Sequence, residues 1–236
     1  MNHTIRITID GKAIRAQEGQ TIMEAADAAA IYIPRLCSHK DLRPIGSCRL
    51  CTVIVDGRPQ AACVKPALDG MVIENDTPEL LQHRRNIIDM MFVEGNHFCM
   101  FCEKSGNCEL QAMAYRFGIT VPQYPFQFPL KAVDASHPEV MLDRNRCIMC
   151  ARCVRASQDL DGKNVFQAIG RGFNRRIGVN GEKALCDTNM SADDRAADVC
   201  PVGCIIKKRV GFTTPIGQRL YDTQRIGSDI ETHASR

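Results

Sequence analysis

The chain has 236 residues, which is enough for one large domain or for two or three small ones. It contains no tryptophan and four tyrosines but 13 cysteines, so something other than a large apolar core is expected to help stabilise it. The net charge of +3, with scattered basic residues, gives no reason to expect a nucleic-acid partner. No apolar stretch is long enough to cross a bilayer and no signal-peptide pattern opens the sequence, so a reducing, cytoplasmic location is expected.

The first predicted elements are a β-hairpin and a helix. Isoleucines within residues 5–9 alternate with polar residues, an Asp-Gly turn follows at 10–11, and residues 13–15 return as a second strand. Thr21, with Glu24 three residues later, is a capping box that opens a helix. The pattern therefore predicts a helix that crosses a small sheet.

A second predicted hairpin brings four cysteines together. Its two-residue Asp-Gly turn at 56–57 pairs position 51 with position 62 across the hairpin, so Cys63 falls beside Cys51. Cys48 precedes Cys51 by three residues in a turn, and Cys37 ends the loop after the helix. Four thiolates can converge there on one metal centre, with a structural zinc site as the alternative.

A helical segment carries the next cysteines. Its apolar residues recur at helical spacing, and Gly95 is predicted to be the C-cap. Cys99, Cys102 and Cys108 follow, which leaves a four-iron cluster one ligand short. His97 is the nearest candidate for the missing ligand, because a neutral imidazole nitrogen can bind iron.

The third motif is the most specific of the three. Cys147, Cys150 and Cys153 are separated by two residues each, as in the bacterial ferredoxin loop that wraps three corners of a four-iron cluster. Ser157 occupies the position where a fourth cysteine would bind a second cluster, so that cluster is predicted to be absent. Cys200, within a Cys-Pro pair, is the predicted fourth ligand.

Two cysteines remain, Cys186 and Cys204. Because free cysteine is among the most often buried residue types, a core thiol is the favoured interpretation of each. The alternative is that Cys204 joins an additional cluster or substitutes for Cys200. Four basic residues beside the motifs are predicted to offset cluster charge and raise reduction potentials. They are Arg49, Lys104, Arg146 and Arg152.

These motifs resemble those of known iron-sulfur proteins. The sheet with its crossing helix resembles the plant-type 2Fe-2S ferredoxin fold, a β-grasp, but ten residues separate Cys37 from Cys48 where that family has four. The wider gap is similar to the 2Fe-2S domains that begin the large NADH-dehydrogenase iron-sulfur subunits and iron hydrogenases. The second motif resembles their four-iron module with one histidine and three cysteines. In that module the histidine falls at position 95, which is glycine here, so His97 must reach through a shortened loop or another group must serve.

The resemblance implies an α+β protein with three cluster-bearing parts. These are an N-terminal β-grasp 2Fe-2S domain at residues 1–76, a helical 4Fe-4S module at 77–118 and a ferredoxin-like 4Fe-4S domain at 139–210. A proline-rich linker at 119–138 separates the last two, and a docking or disordered tail follows at 211–236. The implied ligands are Cys37, Cys48, Cys51 and Cys63 for the 2Fe-2S cluster; His97, Cys99, Cys102 and Cys108 for one 4Fe-4S cluster; and Cys147, Cys150, Cys153 and Cys200 for the other.

An electron relay is the function that this arrangement predicts. No dinucleotide fingerprint, P-loop, nickel site or molybdenum site is visible in the sequence, so no active site is expected in this chain. The related large subunits continue into long catalytic domains, whereas this sequence is expected to stand alone. In this it resembles the diaphorase small subunits of NAD-reducing bidirectional nickel-iron hydrogenases.

That resemblance implies a non-catalytic electron-transfer subunit of a hydrogen:NAD+ oxidoreductase. Its partners would be an FMN- and NAD-binding diaphorase flavoprotein and the hydrogenase small and large subunits. One alternative is the electron-input subunit of an NAD-linked formate dehydrogenase or of an NADH dehydrogenase. The other is a zinc-stapled binding module with no redox role.

Overall fold

A computed structural model describes residues 3–231, in which the chain forms two compact units. Within these residues the first unit comprises the chain up to Ser38, Pro44–Ile87 and the residues from Arg225, and the second comprises His39–Arg43 and Ile88–Gln224. The ends of the predicted 2Fe-2S domain and of the predicted tail, residues 1–2 and 232–236, lie outside the described residues. Both units combine helices with sheets, which confirms the predicted α+β class.

The regular elements in chain order are β1 (Thr4–Ile9), β2 (Lys12–Gln17), α1 (Ile22–Ala28), β3 (Thr52–Val55), β4 (Arg58–Ala61), β5 (Val72–Glu74), α2 (Pro78–Val93), α3 (Glu109–Arg116), β6 (Val133–Asp134), β7 (Val140–Asp143), α4 (Arg152–Asp159), β8 (Phe166–Ile169), β9 (Arg176–Val179), α5 (Arg195–Asp198), β10 (Ile205–Lys207), α6 (Leu220–Thr223) and α7 (Ser228–Glu231). Short 3-10 turns lie at Cys99–Phe101, Arg144–Arg146, Gly172–Asn174 and Leu185–Asp187. No helix in the described part of the chain has the length and apolarity to cross a membrane.

The first unit is built on a five-stranded sheet in the order β2-β1-β5-β3-β4. Both predicted hairpins are present, since β1 pairs antiparallel with β2 and β3 pairs antiparallel with β4. Strand β5 runs parallel to β1 and joins the two hairpins. Ile5, Ile7 and Ile9 share one face of β1 and are buried, because side chains alternate between the two faces of a strand.

Helix α1 packs into the same apolar core as β1, through Ile22, Met23 and two alanines. The predicted capping box at its start is confirmed. The Glu24 backbone N–H donates to the Thr21 hydroxyl at 3.2 Å, and the Thr21 backbone N–H donates to the Glu24 carboxylate at 2.7 Å. These bonds satisfy backbone donors that a helix start otherwise leaves unpaired.

The end of helix α2 differs from the prediction. The helix stops at Val93, and Gly95 does not adopt the positive φ of a glycine C-cap, so the predicted C-cap is wrong. A Cβ atom at Gly95 would lie 2.5 Å from Nε2 of His97, which is closer than non-bonded atoms can approach. A side chain at position 95 would therefore push the imidazole of His97 out of its position.

The second unit contains a three-stranded sheet, in the order β10-β7-β6, and the two-stranded pair β8-β9. Two of its helices begin at cysteines of the motifs, since Cys108 is the N-cap residue of α3 and Cys153 lies in the first turn of α4. Ser157, at the position of the predicted lost cluster ligand, is buried in α4 and its hydroxyl accepts a hydrogen bond from the Val165 backbone at 2.7 Å. Ser157 therefore has a structural role in this unit.

Candidate iron-sulfur cluster sites

The first cysteine group consists of Cys37, Cys48, Cys51 and Cys63 in the first unit. The Sγ atoms of Cys51 and Cys63 lie 3.4 Å apart. The backbone N–H groups of Cys37 and Cys48 each donate to the other residue's Sγ at 3.4 Å, and a side-chain hydrogen bond also joins Cys37 to Cys63. The structure therefore brings all four thiols of this group together.

The hairpin explains why the last two of these cysteines meet. Both turn residues, Asp56 and Gly57, have positive φ angles of 48° and 77°, as a type I′ turn requires. Strands β3 and β4 pair in the predicted register, with Thr52 opposite Ala61. The Ala62 backbone N–H donates to the Cys51 carbonyl at 3.1 Å. The predicted register, which places Cys63 next to Cys51, is confirmed.

A buried arginine braces the backbone around Cys51. Arg84 of α2 donates through Nε to the Leu50 carbonyl at 3.2 Å and through Nη2 to the Thr52 carbonyl at 3.1 Å. Because Leu50 and Thr52 flank Cys51, these bonds hold the cysteine in its position between the loop and β3. Sequence reasoning missed Arg84, which looked like an ordinary polar residue of a helix.

Hydrogen bonds between the thiols of the first group shift their pKa values. A hydrogen bond from Cys63 lowers the pKa of Cys51 to about 7, and the charge of Arg35 contributes in the same direction. Hydrogen bonds from Cys48 and Cys63 lower the pKa of Cys37 to about 2. The same hydrogen bonds raise the pKa values of Cys48 and Cys63, because a thiol that donates a hydrogen bond holds its proton more tightly. The thiolate is the form that binds iron, and the lowered pKa values favour that form at Cys37 and Cys51.

The second cysteine group consists of Cys99, Cys102 and Cys108. Burial raises the pKa of Cys108 to about 12, and the charges of Cys102 and Cys99 contribute in the same direction. Burial and the charge of Cys102 likewise raise the pKa of Cys99. Thiols such as Cys99 and Cys108, whose pKa values are raised, release their protons when a cation binds them.

His97 lies immediately before this group and carries an unexplained nitrogen. Its Nε2 atom is buried and has no hydrogen-bond partner. Burial lowers the pKa of the imidazole to about 4, against a hydrogen bond with the Met91 backbone that raises it, so the ring is neutral at pH 7. The edge of the ring faces Phe92, with centroids 5.4 Å apart. A neutral ring with an unpaired buried nitrogen fits the fourth ligand of a 4Fe-4S cluster.

The third cysteine group contains five thiols, Cys147, Cys150, Cys153, Cys200 and Cys204. Side-chain hydrogen bonds join Cys204 to both Cys147 and Cys200, and that with Cys204 lowers the pKa of Cys200 to about 6. Burial raises the pKa of Cys150 to about 12. The prediction that Cys204 is buried is confirmed, but its thiol lies among the predicted ligands. The group has one thiol more than a 4Fe-4S cluster needs.

The prediction that Cys186 is a buried core thiol is wrong. Cys186 is exposed in the 3-10 turn Leu185–Asp187, where Leu185 takes the buried position instead. The Cys186 backbone N–H donates to the Ser136 hydroxyl at 3.1 Å. Its thiol lies apart from the three groups and serves as a natural control for them.

A buried ion pair links the loops of the second and third groups. Arg152, which precedes Cys153 and is 2% exposed, donates through its two Nη atoms to the Glu109 carboxylate at 2.6 and 2.8 Å. Glu109 follows Cys108, and its backbone N–H donates to the Pro201 carbonyl at 2.8 Å. The ligand loops of both groups are thus fixed against each other.

We expect Arg152→Met to lower the free energy of unfolding by about 3 kcal/mol, because it leaves Glu109 unpaired in a largely buried position. Arg195→Met is the matched control, since the Arg195 side chain is 50% exposed and its ion pair with Asp41 contributes less than about 1 kcal/mol. Anaerobic thermal unfolding of both iron-loaded variants checks the difference, expected as a fall of roughly 10 °C in the midpoint for Arg152→Met alone. Equal midpoints for the two variants would contradict it.

Comparisons with known proteins agree with this geometry. Residues 2–78 match the model of a 2Fe-2S iron-sulfur cluster binding domain. Residues 84–123 match the NADH-ubiquinone oxidoreductase-G iron-sulfur binding region, and residues 137–206 match the ferredoxin-like domain of NADH-quinone oxidoreductase subunit 3. The three matches follow the order of the three cysteine groups and fit an electron relay.

Among curated relatives, the gamma subunit of the NAD-reducing hydrogenase HoxS from Cupriavidus necator is 40% identical over 94% of this chain and 95% of its own length. The 78 kDa subunit of mitochondrial NADH-ubiquinone oxidoreductase from Candida albicans is 32% identical over 88% of this chain and 29% of its own length. The NADP-reducing hydrogenase subunit HndD from Solidesulfovibrio fructosivorans is 34% identical over 86% of this chain and 36% of its own length.

Solved structures give the same result. A chain of the crystal structure of NAD+-reducing [NiFe]-hydrogenase in the H2-reduced state matches with a TM-score of 0.90 and 46% identity, over 92% of this chain and 93% of that chain. The sequence match to the gamma subunit of HoxS and this structural match therefore both extend over nearly the whole of the two chains that are compared. The chain belongs to the family of iron-sulfur electron-transfer subunits that includes the gamma subunit of NAD-reducing hydrogenase, as its motifs predicted.

Proposed function

We propose that this chain relays single electrons through one 2Fe-2S and two 4Fe-4S clusters, as the non-catalytic iron-sulfur subunit of an NAD-reducing hydrogenase complex. The observation that carries the proposal is the grouping of thiols in three separate parts of the chain, with a buried imidazole nitrogen that has no hydrogen-bond partner two residues before the second group in the sequence. The proposed ligands are the twelve residues that the resemblance implies. Such clusters, when bound, accept and return one electron each.

The contribution of the protein is to hold the ligands still. Buried thiols keep water away from the sulfur ligands, and the ion pair between Arg152 and Glu109 fixes two ligand loops against each other. Arg84 fixes the backbone on both sides of Cys51. A rigid set of ligands supports electron transfer, because little of the protein has to rearrange when the charge of a site changes.

An exposed apolar surface beside the second group supports the proposal that this chain binds partner subunits. Cys99 and Cys102 line a cavity of about 670 Å³ together with side chains of residues 210–219, within and next to the predicted tail. Met100 at its rim is 81% exposed. The other large apolar residues exposed around it are Tyr115, Val210, Phe212 and Ile216. Contiguous exposed apolar and aromatic side chains are typical of protein interfaces.

The partners that we propose are an FMN- and NAD-binding flavoprotein subunit and the hydrogenase small and large subunits. Electrons from hydrogen would cross this chain to the flavin, or run in the opposite direction. A reducing, cytoplasmic setting is part of the proposal, because the cysteines of the described residues are free thiols rather than disulfides. Co-purification with these subunits, rather than with a formate dehydrogenase, would support the hydrogenase complex over the alternative.

Iron, acid-labile sulfide and zinc per chain, measured on protein purified without air, test the relay itself. We expect about ten irons and about ten sulfides, from two plus four plus four. A value of about six irons would remove one four-iron cluster from the proposal. A colourless preparation with zinc and no sulfide would overturn it in favour of a zinc-stapled module.

A further inference from the structure

Arg146 points away from the cysteine beside it in the sequence and towards another group. It directly precedes Cys147 of the third group, yet its Nη1 donates to Sγ of Cys102 in the second group at 3.3 Å. The same Nη1 lies 3.0 Å from the Glu103 carboxylate, and Nε lies 3.0 Å from the Asp143 carboxylate. Two carboxylates on opposite sides therefore hold the guanidinium in place against the Cys102 sulfur.

Gly203 makes room for this contact. A Cβ atom at Gly203 would lie 2.7 Å from Cys102 Sγ and 3.2 Å from Arg146 Nη1. Gly203 lies between Cys200 and Cys204 in the sequence, so the segment that carries ligands of the third group also closes over the second. The Arg146 side chain and the open space at Gly203 therefore both belong to segments that also carry cysteines of the third group.

We propose that Arg146 is a positioning residue that raises the reduction potential of the 4Fe-4S cluster held by the second group, through its N–H···S bond to Cys102. This inference rests on the proposed function, because it needs a cluster at that site. Reduction adds negative charge to the sulfur ligands, so a cationic donor on one of them stabilises the reduced form more than the oxidised form. The guanidinium itself stays protonated and exchanges neither a proton nor an electron.

The consequence is that a side chain from the loop of the third group controls the potential of the cluster proposed at the second group. Sequence proximity alone would direct the charge of Arg146 to the third group. The structure directs it to the second, where a charge-assisted hydrogen bond to the Cys102 sulfur would favour the reduced state. The order of potentials along the relay would therefore depend on the docking of the Arg146 loop onto Cys102.

The test uses Arg146→Gln, with Arg144→Gln as the matched control. Arg144→Gln removes the same charge two residues away. The Arg144 guanidinium does not contact Cys102 but donates to the Ile177 and Ala132 carbonyls at 2.7 and 3.2 Å. Redox titrations followed by electron paramagnetic resonance give the midpoint potential of each cluster in the full, anaerobic protein. We expect Arg146→Gln to lower the reduced-to-oxidised ratio of the second cluster about tenfold at fixed potential, which is about 59 mV.

The other clusters, and all clusters of Arg144→Gln, should keep their potentials. Gly203→Ala is an independent route to the same result, because its Cβ separates Arg146 from Cys102 while the charge remains, and it should lower the same potential. Unchanged second-cluster potentials in Arg146→Gln and Gly203→Ala, with all irons retained, would overturn this inference alone. Only about six irons in the unsubstituted protein would instead defeat the proposed function on which it rests.

Discussion

Cys51→Ala is expected to abolish the 2Fe-2S cluster and to lower the iron content from about ten to about eight per chain. The Cys51 sulfur lies 3.4 Å from that of Cys63 and is 1% exposed, so neither water nor a neighbouring side chain can readily take its place. The remaining three thiols would leave one iron without a protein ligand. Iron and sulfide analysis, together with the loss of the 2Fe-2S paramagnetic signal, checks the result.

Cys186→Ala is the control for this variant. It removes the same thiol chemistry from an exposed turn that lies outside the three groups, so it should keep about ten irons and an unchanged spectrum. Retention of the 2Fe-2S signal in Cys51→Ala would show that a different residue completes that site. Equal losses in both variants would point to general instability rather than to ligation.

Local chemistry explains why the first group could be predicted from the sequence. An Asp-Gly pair with positive φ at both positions leaves one register for the hairpin, and that register brings Cys63 to Cys51. The capping box of Thr21 and Glu24 defines the helix start in the same local way. Both predictions depend on residues that lie close together in the chain, and both are confirmed.

Other features depend on contacts between distant parts of the chain, which no local pattern reveals. Gly95 looked like a helix cap, whereas its lack of a side chain serves the close approach of His97. Arg146 looked like a neighbour of the third group, whereas it bonds to Cys102, which is 44 residues away. Cys186 looked like a core thiol because of its residue type, but the turn around it buries Leu185 instead. Each error came from assigning a role from sequence proximity or residue type alone.

His97→Ala is expected to remove the second cluster and to lower the iron content from about ten to about six per chain. The reason is that the buried Nε2 atom of His97 has no hydrogen-bond partner, and His97 lies two residues before Cys99 in the sequence. His83→Ala is the matched control, because His83 is exposed on α2 and should leave all irons in place. Iron analysis and the spectrum of the second cluster measure both variants.

Gly95→Ala tests the same ligand without touching the imidazole. The new Cβ would lie 2.5 Å from Nε2, so the ring must move away and the cluster should be lost or destabilised as in His97→Ala. His97→Cys, which offers a thiolate in place of the nitrogen, should instead retain iron with an altered spectrum. Full iron with an unchanged spectrum in both His97→Ala and Gly95→Ala would mean that another group completes the second site. Loss in these two variants, with retention in His97→Cys, would make the shortened loop from Gly95 to Cys99 the means by which this chain delivers its fourth ligand.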